Sequence, residues 1–387
     1  MRTSKNRRVF WQVGSLAAAA VVLAFAARNA KLDQVAALVR SIGPAALLVP
    51  LPFLVGVVLH ALATRSLFRV LGQRLSLGRL LSSLISTEAV VRSMPAGPAV
   101  SDAMSPALFH LRADAPIPDG VAVVAAKKCL IVLTNGVYVG LAVAISLRTL
   151  RALSPKLLGV QGLEYLVSAA GLALAIGALG LAAALRSGGV AGLIHKLLTR
   201  VPLAGLRAWL LAREAAFRAT DQKLGAVFAK TADGAARGAL LLVPATLEFV
   251  VVWLLEAAET WLILCLLGVD VGVREALAVE IVASLLRSLA FIVPAGLGVQ
   301  DAGYIAVLGG LGVPDAPSVG VAFVLIKRAK ELLWVGIGYL LFVVHRDGWT
   351  AKSGRAPKQD DERARSDERA PMPRTSEAIA LGASNSP

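Results

Sequence analysis

Cysteine, histidine and aromatic residues are all scarce in this chain of 387 residues. The two cysteines, Cys129 and Cys265, lie within apolar stretches, so no disulfide framework is expected. The four histidines are scattered without metal-ligand spacing, and we find neither a nucleotide-binding loop nor a Ser/His/Asp arrangement. The sequence therefore predicts no metal site and no cofactor, and it does not favour an enzyme.

Hydrophobic residues, in contrast, make up 57% of the chain, and its mean hydropathy is +0.71. A helix needs about 20 apolar residues to cross the hydrocarbon core of a bilayer. We therefore expect an all-α polytopic membrane protein with about six full transmembrane helices. The first candidate follows several basic residues and is also compatible with a cleaved signal peptide, although we expect a retained helix. The six stretches are 10–27, 43–64, 120–147, 165–185, 238–267 and 317–344.

The net charge of +15 suggests a nucleic-acid partner, but the distribution of the basic residues argues against one. Of the 40 Lys and Arg residues, 26 lie in the N-terminal tail, the 65–79, 112–119 and 186–237 loops and the C-terminal tail, whereas 7 lie in the loops of the opposite side. This asymmetry is the positive-inside rule, and it predicts that both termini are cytoplasmic. The basic loops are then expected to meet anionic lipid head groups.

A nine-residue phrase occurs twice, and both copies interrupt apolar sequence. The segment 95–103, PAGPAVSDA, and the segment 294–302, PAGLGVQDA, agree at six of nine positions. Proline and glycine break helices, and in a bilayer broken backbone is tolerated only where it is buried in protein or lines a wet cavity. The duplicated breaker, which carries Asp102 and Asp301, therefore predicts a paired polar site at membrane depth, as in transporters.

The similarity extends on both sides of the phrase. Five residues between 59 and 72 recur 196 positions later, and Lys127-Lys128 aligns with Lys327-Arg328 at an offset of 200. The predicted unit is a span, a broken hairpin and a second span. Because three crossings separate the two hairpins, they are expected to enter from opposite faces as an inverted-topology repeat. If each half-helix is instead a short full span, giving ten helices, the inversion is unchanged.

This repeat divides the chain into five segments. The 186–237 loop alternates basic and apolar residues, which is typical of amphipathic helices on a membrane surface. The C-terminal tail has few large hydrophobic residues and is expected to be disordered. The predicted segments are an N-terminal helix and loop (1–42), the first repeat (43–147), a linking helix and basic cytoplasmic loop (148–237), the second repeat (238–345) and a cytoplasmic tail (346–387).

Fifteen charged residues lie within the apolar segments, seven of them cationic and eight anionic. Each would cost about 2.5–3.5 kcal/mol at a helix centre, so these groups must pair, snorkel or line a polar cavity. Helical spacing places Glu88 with Arg92, and Arg328 with Glu331, on common faces. Two interpretations stay open, structural ion pairs between helices and a functional polar groove. The fifteen residues are Arg92, Lys127, Lys128, Arg287, Lys327, Arg328, Lys330, Glu88, Asp102, Glu248, Glu256, Glu259, Glu280, Asp301 and Glu331.

The segment 294–304, PAGLGVQDAGY, followed by 325–332, LIKRAKEL, resembles the lysylphosphatidylglycerol synthase transmembrane-domain, or flippase-like, family. The resemblance covers about 43–345, and the nearest subgroup is the hopanoid-biosynthesis-associated inner-membrane proteins. It implies a bacterial inner-membrane protein that moves or handles amphipathic lipids. Bifunctional members carry a soluble aminoacyl-transfer domain where this sequence has a short tail, so lysyl transfer is not expected. Asp301 also stands where the family often has Glu.

The expected site combines residues of the two broken segments and of the spans beside them. The resemblance itself implies Arg287, Pro294, Gly296, Gly298, Gln300, Asp301, Gly303, Lys327, Arg328 and Glu331. The charges and the repeat add Arg92, Pro95, Gly97, Asp102, Lys127, Lys128, Glu256, Glu259, Glu280 and Tyr304 as substrate-binding or transport residues.

Cations beside a broken helix can neutralise a phosphate, and carboxylates at the same depth can take up protons. Our leading hypothesis is a lipid translocase, or lipid-handling transporter, that exposes a polar midplane site to each side in turn. The expected partners are membrane lipids, anionic or isoprenoid-type, with lipid-synthesis enzymes as further candidates and no nucleic acid. The alternatives are a membrane-embedded transferase that modifies a lipid head group and a scaffold for lipid-synthesis enzymes.

Overall fold

The computed structural model describes residues 28–186, 235–289, 293 and 296–345. The first apolar stretch (10–27), nearly all of the basic 186–237 loop and the 346–387 tail lie outside these residues. The chain divides into two compact units, Met1–Val343 and Val344–Pro387, and the helices below belong to the first unit except for the last residue of α10.

Every regular element in the described residues is helical. Proline lies in the first turn of the 3-10 helix and of α2, where its missing N–H leaves no intrahelical hydrogen bond unmade. The elements are α1 (Leu32–Ile42), the 3-10 helix (Gly43–Leu48), α2 (Pro50–Val70), α3 (Leu77–Ser93), α4 (Gly97–Ala113), α5 (Ile117–Leu158), α6 (Leu163–Arg186), α7 (Ala235–Leu266), α8 (Val273–Leu289), α9 (Val299–Leu311) and α10 (Ala316–Val344).

Four helical segments in the described residues are long and apolar enough to cross a membrane. They are Leu32–Val70, Ile117–Leu158, Leu163–Ala183 and Val243–Leu266. Helix α10 has 29 residues, which is enough for a crossing, but four charged residues lie together near its middle. The chain is therefore a multi-pass membrane protein, and the predicted total of six spans stays a prediction.

The repeated phrase interrupts the helices in both halves of the chain. In the first half, α3 ends at Ser93 and α4 begins at Gly97, with Ala96 between them in the left-handed region at φ 50°. A Cβ atom at Gly97 would collide with the backbone carbonyls of Val90 and Val91, so only glycine fits there. In the second half, α8 ends at Leu289 and α9 begins at Val299. Each broken hairpin packs its two helices against each other.

The two halves of the chain repeat the same order of helices. The series α2, α3, α4, α5 corresponds to α7, α8, α9, α10, and α3 and α8 both have 17 residues. At about 1.5 Å per residue these two helices are about 26 Å long, close to the thickness of the hydrocarbon core. The counterpart helices α2 and α7 pack closely along each other.

Two apolar cores lie in different parts of the bundle. One is formed by α2, α3, α4 and parts of α5 and α7, and the other by α1, α6, α8, α9, α10 and the remaining parts of α5 and α7. On α5 the first core ends at Leu130 and the second begins at Tyr138. On α7 the change falls between Phe249 and Ala257. Both long helices thus pass from one core to the other near their middle.

Helix α5 extends beyond the predicted span. The sequence predicts a span over 120–147, whereas the helix runs through 42 residues, or about 63 Å, to Leu158. Its last turns pack against α6 and α9, and Lys156 Nζ donates to the Gly310 carbonyl at 2.7 Å. The extension is stable because it has its own apolar contacts, in which Leu150 and Leu153 are buried.

Arg112, at the end of α4, joins three helices. Its guanidinium donates to the Ser82 carbonyl and the Ser86 hydroxyl, both at 2.8 Å, and to the Leu341 carbonyl at 3.2 Å. It also lies over the Phe342 ring at 5.3 Å. The planar fork of an arginine can make these bonds together, so Arg112 fixes α4 and α10 against α3.

Small residues allow α10 to approach α3 closely. A Cβ atom at Gly338 would lie 2.5 Å from Ala89 Cβ and 2.7 Å from the Ile85 carbonyl oxygen. At Gly336, two residues earlier, no neighbouring helix among the described residues comes within 4 Å of the corresponding position. The close contact at Gly338 aligns α10 so that its charged residues lie beside α3.

Candidate functional site

Glu280 is a buried carboxylate within a cluster of charges formed by α7, α8, α9 and α10. Its side chain is 1% exposed. It accepts hydrogen bonds from Thr260 Oγ1 at 2.6 Å, Lys327 Nζ at 3.0 Å, Arg287 Nη2 at 3.0 Å and Tyr304 OH at 3.2 Å. Burial of a carboxylate is costly unless charged and polar donors surround it. Two cations and two hydroxyls therefore compensate the burial of Glu280.

Asp301 joins the second copy of the phrase to α10. Its Oδ2 accepts the backbone N–H of Gly298 at 2.9 Å, which satisfies one of the free donors at the start of α9. Its Oδ1 accepts from Arg328 Nε at 3.0 Å and forms an ion pair with Arg328 Nη2. The repeated aspartate thus caps a half-helix and binds a cation of the neighbouring span.

A chain of ion pairs continues from α10 to α3. Arg328 Nη1 binds Glu331 Oε2, and Glu331 Oε1 accepts from Arg92 Nη1 at 2.9 Å. Arg92 Nε lies 3.6 Å from Glu88 Oε2. The pairs that helical spacing predicts, Glu88 with Arg92 and Arg328 with Glu331, are confirmed.

Lys330 and Glu259 form a separate buried pair between α10 and α7. The Lys330 ammonium binds both carboxylate oxygens, at 2.5 and 2.7 Å, and the two side chains are 7% and 5% exposed. Lys330 also lies 5.4 Å from the centre of the Phe53 ring, and Arg92 lies 4.8 Å from it. An aromatic face between two cations lowers the cost of placing them close together.

The first half contains an ion pair equivalent to the one at Asp301. Asp102 on α4 binds Lys128 Nζ on α5 at 2.9 Å. In the predicted repeat, Asp102 corresponds to Asp301 and Lys128 to Arg328. In each copy of the phrase, the aspartate therefore binds the second residue of the cation pair on the next helix, which is Lys128 on α5 or Arg328 on α10.

Two adjoining open cavities connect these groups. The smaller has a volume of about 770 Å³ and borders the charged cluster of the second half, and the larger has about 1330 Å³ and borders Asp102 and Lys128. Glu256, which accepts from Arg287 Nη2 at 3.2 Å, lies on the wall common to both. The residues that line both cavities are His60, Glu88, Arg92, Val252, Glu256, Arg287, Gln300 and Glu331.

Sixteen of the twenty predicted site residues line one cavity or the other. Three do not: Pro95 lies in the break before α4, Gly298 precedes α9, and Gly303 faces the Leu286 side chain where α8 and α9 pack together. Pro294 lies outside the described residues. Gly298 therefore serves the backbone turn before α9, and Gly303 serves the packing of α9 against α8.

Some residues of the cluster were not among the predicted site residues. Glu88 and Lys330 are intramembrane charges, and the signals that identify them are the i, i+4 spacing of Glu88 to Arg92 and the i, i+3 spacing of Lys330 to Lys327. Phe53 and Thr260 give no such signal, because aromatic and hydroxyl side chains in an apolar span are usually part of the packing.

The lining of the two cavities is electrically balanced. It includes seven Lys or Arg residues and seven Asp or Glu residues. Nearly all of them already form an ion pair within the protein. A charged ligand can therefore bind by replacing one member of such a pair, rather than by meeting charges that have no partner. In the described part of the chain, no three His, Cys, Asp or Glu side chains come together as metal ligands would.

Comparison with protein families matches residues 12–337 to the lysylphosphatidylglycerol synthase transmembrane region. The matched residues include both copies of the phrase and every residue that lines the two cavities. Comparison with curated proteins and with solved structures gives no match.

Proposed function

Since this chain belongs to the lysylphosphatidylglycerol synthase transmembrane family, a family of membrane proteins involved in lipid handling, we propose that it is a lipid translocase or lipid-handling transporter. The polar head group of the lipid would pass through the two cavities, while its tails stay in the surrounding hydrocarbon. Head-group transfer needs a polar path at membrane depth, since charged groups are costly in lipid.

The observation that carries this proposal is the convergence of both broken segments on connected cavities. Asp102 and Lys128 of the first half line the larger cavity, and Asp301 and Arg328 of the second half line the smaller one. A purely structural set of ion pairs has no need of an open volume beside it. The open volume, with partners of both signs along its wall, supports a path for a polar ligand.

We further propose that the two halves are an inverted-topology repeat. Three features support it: the repeated order of four helices, the equivalent ion pairs at Asp102 and Asp301, and the packing of α2 against its counterpart α7. A pseudo-two-fold axis between the halves brings counterpart helices into contact. An inversion would allow the site to open toward each face by related movements of the two halves.

The identity of the membrane and the identity of the lipid are also proposals. The family resemblance supports a bacterial inner membrane, and the distribution of basic residues supports an orientation with both termini in the cytoplasm. Hopanoids are one candidate class of substrate, proposed from the subgroup resemblance of the sequence, and anionic phospholipids and isoprenoid-linked lipids are others. Lipid profiling of each membrane leaflet in a deletion strain would identify the class that is misplaced.

Transport can be tested with the purified protein in vesicles that carry a fluorescent phospholipid. Dithionite quenches the lipid in the outer leaflet, so continued loss of fluorescence measures movement across the bilayer. Asp301→Asn and Arg328→Ala each remove the ion pair between α9 and α10, and we expect about a tenfold slower rate, or about 1.4 kcal/mol in the barrier.

Two matched variants control for general damage. Asp315→Asn changes an exposed aspartate between α9 and α10, and Arg274→Ala changes an exposed arginine on α8. Wild-type rates in Asp301→Asn and Arg328→Ala would refute a role of these residues in transport. A lipid chemically altered by the purified protein would instead favour the head-group transferase.

A further inference from the structure

Lys127 differs from every other cation that lines the two cavities. Its side chain is buried, with the residue 8% exposed, yet among the described residues no carboxylate, hydroxyl or carbonyl lies within hydrogen-bonding or ion-pairing distance of its ammonium. The six other cations each bind a carboxylate directly. Asp102 and Glu88 attract Lys127 only from a greater distance, and both already bind another cation.

The repeat explains why Lys127 is left unpaired. Its counterpart Lys327 binds Glu280 and Tyr304. Because α3 and α8 begin 196 positions apart, the residue equivalent to Glu280 is Leu84 (280 − 196 = 84). The offset of 199 in the repeated phrase makes Ser105 the equivalent of Tyr304 (304 − 199 = 105), and its hydroxyl instead donates to the Ser101 carbonyl.

Lys127 is directed toward the larger cavity. That cavity is also lined by Lys128, Arg92 and Arg287, whose carboxylate partners are Asp102, Glu331 and Glu256. Glu88 and His60 complete its polar wall. The two carboxylates that attract Lys127, Asp102 and Glu88, are paired with Lys128 and Arg92. A largely buried lysine without a direct counterion is unfavourable, and an anionic ligand in this cavity would supply one.

We propose that Lys127 is the principal contact of a phosphate-binding site in the larger cavity. This inference rests on the proposed function and specifies its ligand: the phosphate ester of an anionic lipid head group, or a free phosphate that enters from the water. A phosphate oxygen would pair with Lys127 directly. Lys128 and the Gln300 amide line the same cavity and offer further donors to the remaining oxygens.

The first test is the stability of the ligand-free protein in a non-ionic detergent. Lys127→Met keeps the length of the side chain and removes its charge, so it should raise the melting temperature, because an uncompensated buried charge is lost. An ammonium that stabilises the fold would have the opposite effect. Lys156→Met, on the same helix but exposed and bound to a carbonyl, should not raise it.

The second test is binding of dioctanoyl-phosphatidylglycerol, measured by thermophoresis. We expect Lys127→Met to weaken binding about tenfold, or about 1.4 kcal/mol, while Lys127→Arg and Lys156→Met bind like the wild type. Dioctanoylglycerol has the same tails without the phosphate and should bind poorly to all of them. Equal binding of the phospholipid by the wild type and Lys127→Met would overturn the proposal.

Competition by inorganic phosphate distinguishes the two sources of the ligand. If it displaces the phospholipid from the wild type but not from Lys127→Met, the site accepts free phosphate as well. If it does not compete although the phospholipid depends on Lys127, the ligand is the lipid head group. If phospholipid binding depends on Lys127 but no lipid moves across the vesicle bilayer, only the transport function is refuted. If lipid moves but phospholipid binding does not depend on Lys127, only this binding site is refuted.

Discussion

Replacement of Glu280 by glutamine gives a direct test of the buried charged cluster. Glu280→Gln keeps the size of the side chain but leaves Lys327 and Arg287 with one fewer carboxylate between them. Removal of one partner from a buried ion pair typically costs about 3–5 kcal/mol, because the other charge stays buried. We expect a loss of this size in the free energy of unfolding, measured by titration of dodecyl maltoside micelles with SDS.

The reasoning can be checked with a matched control and a second substitution. Glu275→Gln, on the same helix but outside the cluster, should change the unfolding free energy by less than about 0.5 kcal/mol. Adding Lys327→Met to Glu280→Gln removes one of the buried charges that the first substitution leaves uncompensated, and it should recover about half of the loss. If Glu280→Gln destabilises the protein no more than Glu275→Gln, the cluster does not hold the helices together.

Two further predictions concern helix packing and use the same unfolding measurement. Gly338→Ala should cost about 1–3 kcal/mol, because its Cβ would lie 2.7 Å from the Ile85 carbonyl oxygen, whereas Gly336→Ala should be neutral or stabilising. Equal effects of the two would contradict the close approach of α10 to α3. Arg112→Lys should cost about 1–2 kcal/mol, since a lysine cannot make the three guanidinium bonds, while Arg79→Lys on the exposed surface should be nearly neutral.

Much of the helical organisation could be predicted from the sequence. Long apolar stretches determine spans because each must match the thickness of the bilayer, and the Pro-Ala-Gly phrase identifies the break before α4 because proline and glycine end helices. The pairs of Glu88 with Arg92 and of Arg328 with Glu331 follow from a helical period. These are local properties of the chain.

Contacts between distant segments could not be predicted in the same way. Nothing local indicates that Glu280 binds Thr260, that Phe53 lies between two cations, or that Lys127 has no direct partner. Such contacts depend on the angles at which helices cross, and small residues such as Gly338 decide those angles. The extent of α5 beyond its apolar span also depends on tertiary contacts, here with α6 and α9.

The length of α5 has a consequence for how lipid could pass. This helix contributes to both apolar cores, so its two ends are embedded in different halves of the molecule. Because both halves include part of α5, they cannot rotate as independent rigid bodies unless α5 bends. The short helices α3, α4, α8 and α9 each reach only to the break in their own hairpin, and each contributes to only one of these two cores. Access of a lipid head group to the cavities from either face is therefore expected to come from tilting of these short helices, while α5 stays fixed.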